Sequence, residues 1–218
     1  MIKIDVITLF PEMFDGPFSA SIIKRAESRG LIEVKVHNLR DWGETDRKNV
    51  DDRPYGGGVG MIMRVDIIDA ALRDLKTKKS KIILLDATGE KFVQAKAQKL
   101  SHEKHLILIA GHYEGVDHRV HEHLVDEVIS IGDYVLTGGE IPSMVLTDSI
   151  IRLLPGVLGK DESSKDESHK KPGYLEYPQY TRPETYKAGF GKKWSVPKVL
   201  LSGNHAEINK WRDEKSGV

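Results

Sequence analysis

Four carboxylates gather around two glycine-bearing breaks in the chain. Glu114 and Asp117 belong to Gly111-His112-Tyr113-Glu114-Gly115-Val116-Asp117, and Asp133 and Glu140 to Gly132-Asp133-Tyr134-Val135-Leu136-Thr137-Gly138-Gly139-Glu140. A carboxylate accepts hydrogen bonds from N–H donors and can remove a proton from a reacting group. Glycine lets backbone N–H and C=O groups approach a planar ligand that a Cβ would hold off. The pair Gly138-Gly139, with Gly132 upstream, is more glycine than a simple turn requires. Neither phosphate-cradling pattern is present, G-x-x-x-x-G-K-S/T or G-x-G-x-x-G after a strand. The residues therefore point to a small ligand held mainly by backbone.

Further candidates lie elsewhere. Arg53-Pro54-Tyr55-Gly56-Gly57-Gly58-Val59-Gly60-Met61 reads either as a surface hairpin or as a loop whose backbone hugs a base, with Arg53 and Tyr55 supplying charge and a stacking face. His118, His121 and His123 invite a metal reading, but no third ligand has suitable spacing, and a solvated polar helix face accounts for them. Arg152 is the single long charged residue near the end of an otherwise apolar helix; it either pairs with an acid or serves a site. The sequence contains no cysteine, which excludes disulfides, zinc–thiolate centres and thiol nucleophiles.

The elements that must position these residues follow from the apolar pattern. Ile82-Ile83-Leu84-Leu85, Leu106-Ile107-Leu108-Ile109-Ala110 and Val128-Ile129-Ser130-Ile131 are short apolar runs ending in glycine-bearing loops, the signature of parallel strands buried on both faces. Ile2–Phe10 predicts a further strand, and the alternating Ile32–His37 a strand with one wet face. Helices are expected around Phe18–Ala26, Asp66–Leu75, Lys91–Leu100, Ile141–Leu154 and Asn204–Trp211. The fold class is α/β, and ligands of such sheets sit outside the carboxyl ends of the strands. The loop Asp86-Ala87-Thr88-Gly89 and the two glycine strings are expected to share one mouth.

The 218 residues fit one domain with a small appendage. No stretch approaches the ~18 apolar residues of a membrane span, and the N-terminus has no signal-peptide pattern, so a cytoplasmic protein is expected. Net charge is zero, yet Thr181–Val218 carries eight basic against four acidic residues, leaving the remainder net negative. Segregated positive charge suits an RNA-gripping unit, as well as a solvated helical tail. Residues 159–172 contain no large apolar side chain and read as a linker; beyond it Tyr174, Tyr177, Tyr180, Tyr186 and Trp194 alternate with basic residues, as in surfaces that stack bases.

The two glycine strings closely resemble the bacterial tRNA (guanine-N1)-methyltransferase family, the TrmD type. So do Arg53–Met61, Leu154-Pro155-Gly156-Val157-Leu158-Gly159, Tyr180-Thr181-Arg182-Pro183 and Leu200-Leu201-Ser202-Gly203-Asn204-His205. The resemblance implies a SPOUT-type knotted parallel sheet with flanking helices and a small, mainly helical C-terminal domain, working as a homodimer on tRNA. It implies a catalytic domain at 1–158, a mobile linker at 159–173 and a tRNA-binding domain at 174–218, shorter than usual. It implies S-adenosyl-L-methionine as cofactor, with a magnesium requirement for which the sequence offers no ligand set. It assigns cofactor contacts to Leu84, Leu85, Asp86, Gly89, Gly111, Tyr113, Gly115, Ile131, Gly132, Asp133, Tyr134, Val135, Leu136, Gly138, Gly139 and Pro142. Substrate contacts fall to Arg53, Tyr55, Gly57 and Glu114. The family's arginine matches Arg152, and its basic aspartate falls at Glu167, before Ser168, with Asp166 one place earlier as the alternative register. Asp86-Ala87-Thr88-Gly89 departs from the family's Ser-Pro-Gln-Gly, keeping only the glycine. Three readings follow: methyl transfer to N1 of the guanine 3′ of a tRNA anticodon, another SPOUT RNA methyltransferase acting on a ribose hydroxyl or another base, or a non-catalytic RNA-binding module.

Overall fold

The computed structural model describes residues 1–44, 48–158, 167–169 and 171–217. The chain divides into two compact units, Met1–Asp161 and Glu162–Val218.

In chain order the first unit comprises β1 (Ile2–Thr8), α1 (Asp15–Phe18), α2 (Ser21–Ser28), β2 (Ile32–Asn38), β3 (Asp51–Asp52), β4 (Ile62–Met63), α3 (Val65–Leu75) and β5 (Ser80–Lys91). It continues with α4 (Gln94–Leu100), β6 (His105–Ala110), α5 (His118–His123), β7 (Glu127–Ser130) and α6 (Glu140–Ile151). The second unit holds the antiparallel pair β8 (Thr185–Lys187) and β9 (Lys193–Ser195), then α7 (His205–Lys215). A two-stranded hairpin thus accompanies the helix expected there; its three-residue strands are too short to leave a periodic trace in sequence.

The sheet has five strands in the order β2-β1-β6-β5-β7, every pairing parallel. Residue alternation along the strands feeds two cores. Ile4, Val6, Ile83, Leu85, Leu106 and Leu108 pack against α2, α4 and α6, through Ile23, Ala26, Ala97, Leu100, Leu146 and Ile150. Ile7, Ile82, Leu84, Ile107 and Ile109 face α3 and α5, through Ile67, Ile68, Leu72 and Val120. Every residue of β6 is buried, which is why its sequence is continuously apolar after His105. The link from β5 to β6 covers one face with α4, and the link from β6 to β7 covers the other with α5. The chain therefore reverses direction at β6, and the connections leaving the neighbouring strands β5 and β6 go to opposite faces, the place where such sheets open a crevice.

Three local readings are corrected. Asp86–Gly89 does not end its strand: β5 bulges there and rejoins β7, so that both Leu85 and Glu90 face Ile129. Lys91 is consequently a strand residue, and the following helix starts at Gln94. The helix expected over Phe18–Ala26 is broken in two, with Ser21, the first residue of α2, at φ +53°, and Gly30 at φ +66° beyond the second helix.

Candidate functional site

The carboxyl ends of β5, β6 and β7 open on a cavity of about 300 Å³. Its walls come from three segments: Leu85–Thr88, Gly111–Gly115, and Ile129–Gly139 without Asp133, closed by Pro142 at the start of α6.

Glycine makes the walls possible. Gly139 N–H donates to Gly111 C=O at 2.7 Å, and Gly138 bridges His112 in antiparallel fashion, so the chain entering α6 lies directly on the end of β6. A Cβ on Gly139 would stand 2.7 Å from Ala110 Cα, and one on Gly138 would collide with the side chains of Glu140 and His112. Gly132 is covered by the Tyr134 ring, which likewise leaves no room for a Cβ. Gly115 takes φ +119°, a conformation foreign to residues with side chains.

Thirteen of the sixteen residues expected to hold a cofactor line this cavity. Leu84, Gly89 and Asp133 do not. Leu84 is wholly buried in the α3-side core. Gly89 serves the β5 bulge, where a Cβ would stand 2.5 Å from the backbone nitrogen of Ile129. Asp133 points outward to an ion pair with Lys91 at 2.5 Å.

Ala87, Thr88, His112, Ile129, Ser130 and Thr137 also line the cavity, beyond the residues expected there. His112 was the legible one, since it sits inside the first glycine string. Its ring packs on Phe10 at 4.6 Å, and its Nδ1 lies 3.6 Å from Glu140 Oε2, whose other oxygen accepts the Thr8 hydroxyl at 2.8 Å.

Among the described residues no lysine or arginine lines the cavity, whereas Asp86 and Glu114 both do. Burial raises the Asp86 pKa, but hydrogen bonds from the Thr88 hydroxyl (2.6 Å) and N–H (2.8 Å), with His121 at 3.6 Å, outweigh it and hold the carboxyl below its ordinary range. The wall is therefore anionic at neutral pH through Asp86, suited to a cationic ligand and not to a phosphate.

The Arg53–Met61 loop is joined to this site by backbone. Its stem is the β3–β4 pair, and Met63 N–H donates to Gly115 C=O while Asp117 N–H donates to Met63 C=O, both at 3.0 Å. Glu114 N–H donates to Met61 C=O at 3.2 Å, and Gly60, at φ +85°, packs on the Glu114 side chain. Tyr55 at the loop's end is fully exposed, Arg53 is exposed, and Gly57 takes φ +80°. The loop is thus a hairpin whose stem leads to Glu114.

Arg152 caps the far end of α6 and is partly buried; it does not line the cavity. Glu167 is partly buried in the second unit, and Asp166 lies outside the described residues. His118 stacks on His121 at 5.0 Å, and among the described residues no group of three His, Asp or Glu side chains is placed to hold a metal, so nothing supports magnesium. Among those residues, too, no helix is long and apolar enough to cross a membrane.

Residues 2–217 match the family model described as tRNA (Guanine-1)-methyltransferase TrmD. A tRNA (guanine-N(1)-)-methyltransferase of Dictyoglomus turgidum is 53% identical over 216 residues, covering 99% of this chain and 85% of that protein. Proteins of the same name from Staphylococcus epidermidis and Bacillus subtilis are 50% and 49% identical, over 98% of this chain and 85% and 87% of theirs.

Proposed function

The chain belongs to the tRNA (guanine-1)-methyltransferase family of the TrmD type, and from that premise we propose that it methylates N1 of the guanine immediately 3′ of a tRNA anticodon, using S-adenosyl-L-methionine. The observation that carries the cofactor reading is the cavity itself: glycine-walled, at the carboxyl ends of three parallel strands, lined by two carboxylates and, among the described residues, by no lysine or arginine. That lining fits a sulfonium-bearing nucleoside and is wrong for a nucleotide phosphate.

When bound, the cofactor supplies an electrophilic methyl group. Backbone at Gly111–Gly115 and Ile131–Gly139 holds it, and Asp86 offers a counter-charge. Guanine N1 carries a proton near neutral pH, so transfer to N1 needs a base. We assign that proton to the Glu167 carboxylate, with Asp166 as the alternative register. The negative charge left at O6 is assigned to Arg152, and the N1 and N2 donors of the incoming base to Glu114. Tyr55, Arg53 and Gly57 offer a stacking face, a charge and close backbone approach on the hairpin that leads to Glu114.

The same reading includes a homodimer, the knotted threading of the family and a cytoplasmic setting. The threading is supported by the way residues 131–139 cross from β7 to the end of β6, beside the Asp86–Gly89 excursion. The dimer is supported by α6, whose Ile141 and Val145 are 47% and 39% exposed beside exposed Val135 and Tyr134.

Incubation with labelled S-adenosylmethionine and tRNA transcripts with or without that guanine tests the activity. Label in the first transcript alone is expected; equal label in both overturns the position, and label in neither overturns methyl transfer. Glu167→Gln is expected to lower turnover by about 10²–10⁴-fold while leaving cofactor affinity near wild type. If Asp166→Asn does this and Glu167→Gln does not, the base is Asp166.

A further inference from the structure

The aromatic residues of the second unit fall into two groups. Tyr177 lies under the Arg212 guanidinium at 4.8 Å, Tyr180 packs on Trp211 at 6.3 Å, and the Tyr174 hydroxyl reaches Ser216 at 3.3 Å. These three are engaged with α7 and its end. The β8–β9 hairpin differs, since all six of its strand residues are exposed.

Its cross-strand register places Tyr186 opposite Trp194, rings 5.7 Å apart, and Lys187 opposite Lys193. Alternation puts the aromatic pair on one face and the lysine pair on the other. The connecting turn is Ala188-Gly189-Phe190-Gly191-Lys192, where Phe190 sits at φ +59° with its whole side chain in solvent.

Three features of this hairpin work against its stability as an isolated element. Two strands with both faces wet are marginal in water. Like charges directly opposite one another destabilise a pair. A phenylalanine in the left-handed region is strained, and this one buries nothing. Residues 185–198 carry four lysines and no acidic residue, and none of the four lysines has an ion-pair partner among the described residues. Each cost becomes a contact if the partner is an unpaired polyanion with flat apolar groups. Phosphates neutralise Lys187, Lys192, Lys193 and Lys198, bases stack on Trp194 and Tyr186, and Phe190 enters between bases.

We propose that the β8–β9 hairpin is a clamp for unpaired RNA, separate from the cofactor cavity; it rests on the reading of the chain as a tRNA enzyme and locates one grip on that tRNA. Because stacking reads every base alike, the clamp holds strand and not sequence.

The full-length protein is titrated with a labelled oligouridylate of about twelve nucleotides, with a duplex RNA of the same length, and with anionic lipid vesicles. The oligouridylate is expected to bind well above the duplex. Trp194→Ala with Tyr186→Ala is expected to weaken it about tenfold or more. Lys187→Ala with Lys193→Ala is expected to flatten the salt dependence, by about 0.7 in the log–log slope for each phosphate no longer neutralised. Calorimetry with S-adenosylmethionine should be unchanged in every variant, which shows that the first unit survives, and an unaltered near-ultraviolet circular dichroism spectrum and thermal melt show the same for the whole chain. Unaltered oligouridylate binding in both double variants overturns the clamp, as does preference for duplex, or for vesicles with no binding of oligouridylate. Since none of these readouts needs methyl transfer, failure of the tRNA labelling experiment and failure of the clamp are separable.

Discussion

Asp5 sits in the middle of β1 with no exposed surface, flanked along its strand by buried Ile4 and Val6. Its carboxylate survives there because it is surrounded: His37 Nε2 at 2.7 Å, His105 Nε2 at 2.6 Å and Lys3 Nζ at 2.7 Å, with Ser80 holding His105 Nδ1 at 2.7 Å from the other side. Burial by itself raises the pKa of Asp5, but the bonds shared with His37, Lys3 and His105 outweigh that and hold the carboxyl well below the ordinary carboxylate range. A depressed native value means that the unfolded chain takes up the proton first. The stabilisation is present above the unfolded value of about 4 and is lost as pH falls below it. Denaturant unfolding at pH 7 and near pH 3.5 should show a marked loss in the wild type and a smaller one in Asp5→Asn. At pH 7, Asp5→Ala should cost about 3–5 kcal/mol, because it leaves a cluster of buried donors without their acceptor. An equal pH dependence in wild type and Asp5→Asn would remove Asp5 from the account.

At the scale of elements, the close approach of α6 to β6 decides whether the cavity exists. Gly139→Ala places a methyl group against the Ala110 backbone, which cannot swing aside as a side chain can. The expected result is a loss of about 1–3 kcal/mol in stability together with weaker binding of S-adenosylmethionine by calorimetry. Gly16→Ala, with open space around the new methyl, is the control. Unchanged binding in Gly139→Ala would separate the α6–β6 junction from the site. The same junction shows what could be read from residues alone. All five sheet strands announce themselves, because a strand buried on both faces must be apolar throughout and an edge strand such as β2 must alternate. That Gly138-Gly139 is unusual is equally visible. What Gly139 touches is not, since Ala110 is a long-range neighbour that only strand order brings close. The β5 bulge escaped for a related reason: Asp86-Ala87-Thr88-Gly89 carries turn-forming residues, and only pairing with Ile129 returns the chain to the sheet. The two-residue β3–β4 stem has no periodicity to betray it.

For the molecule as a whole, the role proposed for Arg152 can be met only within the proposed dimer. The cavity meets α6 at Gly139 and Pro142, whereas Arg152 follows the other end of this 12-residue helix, about 18 Å away at 1.5 Å per residue. A guanidinium that distant cannot meet charge developing on a base bound at the same chain's cavity. A second copy seated on the apolar face of Ile141, Val145 and Val135 can deliver the partner's Arg152 to that place. Val145→Arg should then give a folded monomer by light scattering, with a cooperative thermal melt that no longer depends on protein concentration and no methyl transfer. Mixing supplies the sharper test. Arg152→Ala retains a sound cavity, and Gly139→Ala retains the arginine, so each homodimer is impaired. If each site draws cavity and arginine from different chains, a hybrid dimer contains one site with both intact, and mixing the two impaired proteins raises activity above either alone, up to half of the wild-type value per hybrid. If both come from one chain, neither site in the hybrid is complete and the mixture shows no gain, which would return Arg152 to a structural role at the end of α6.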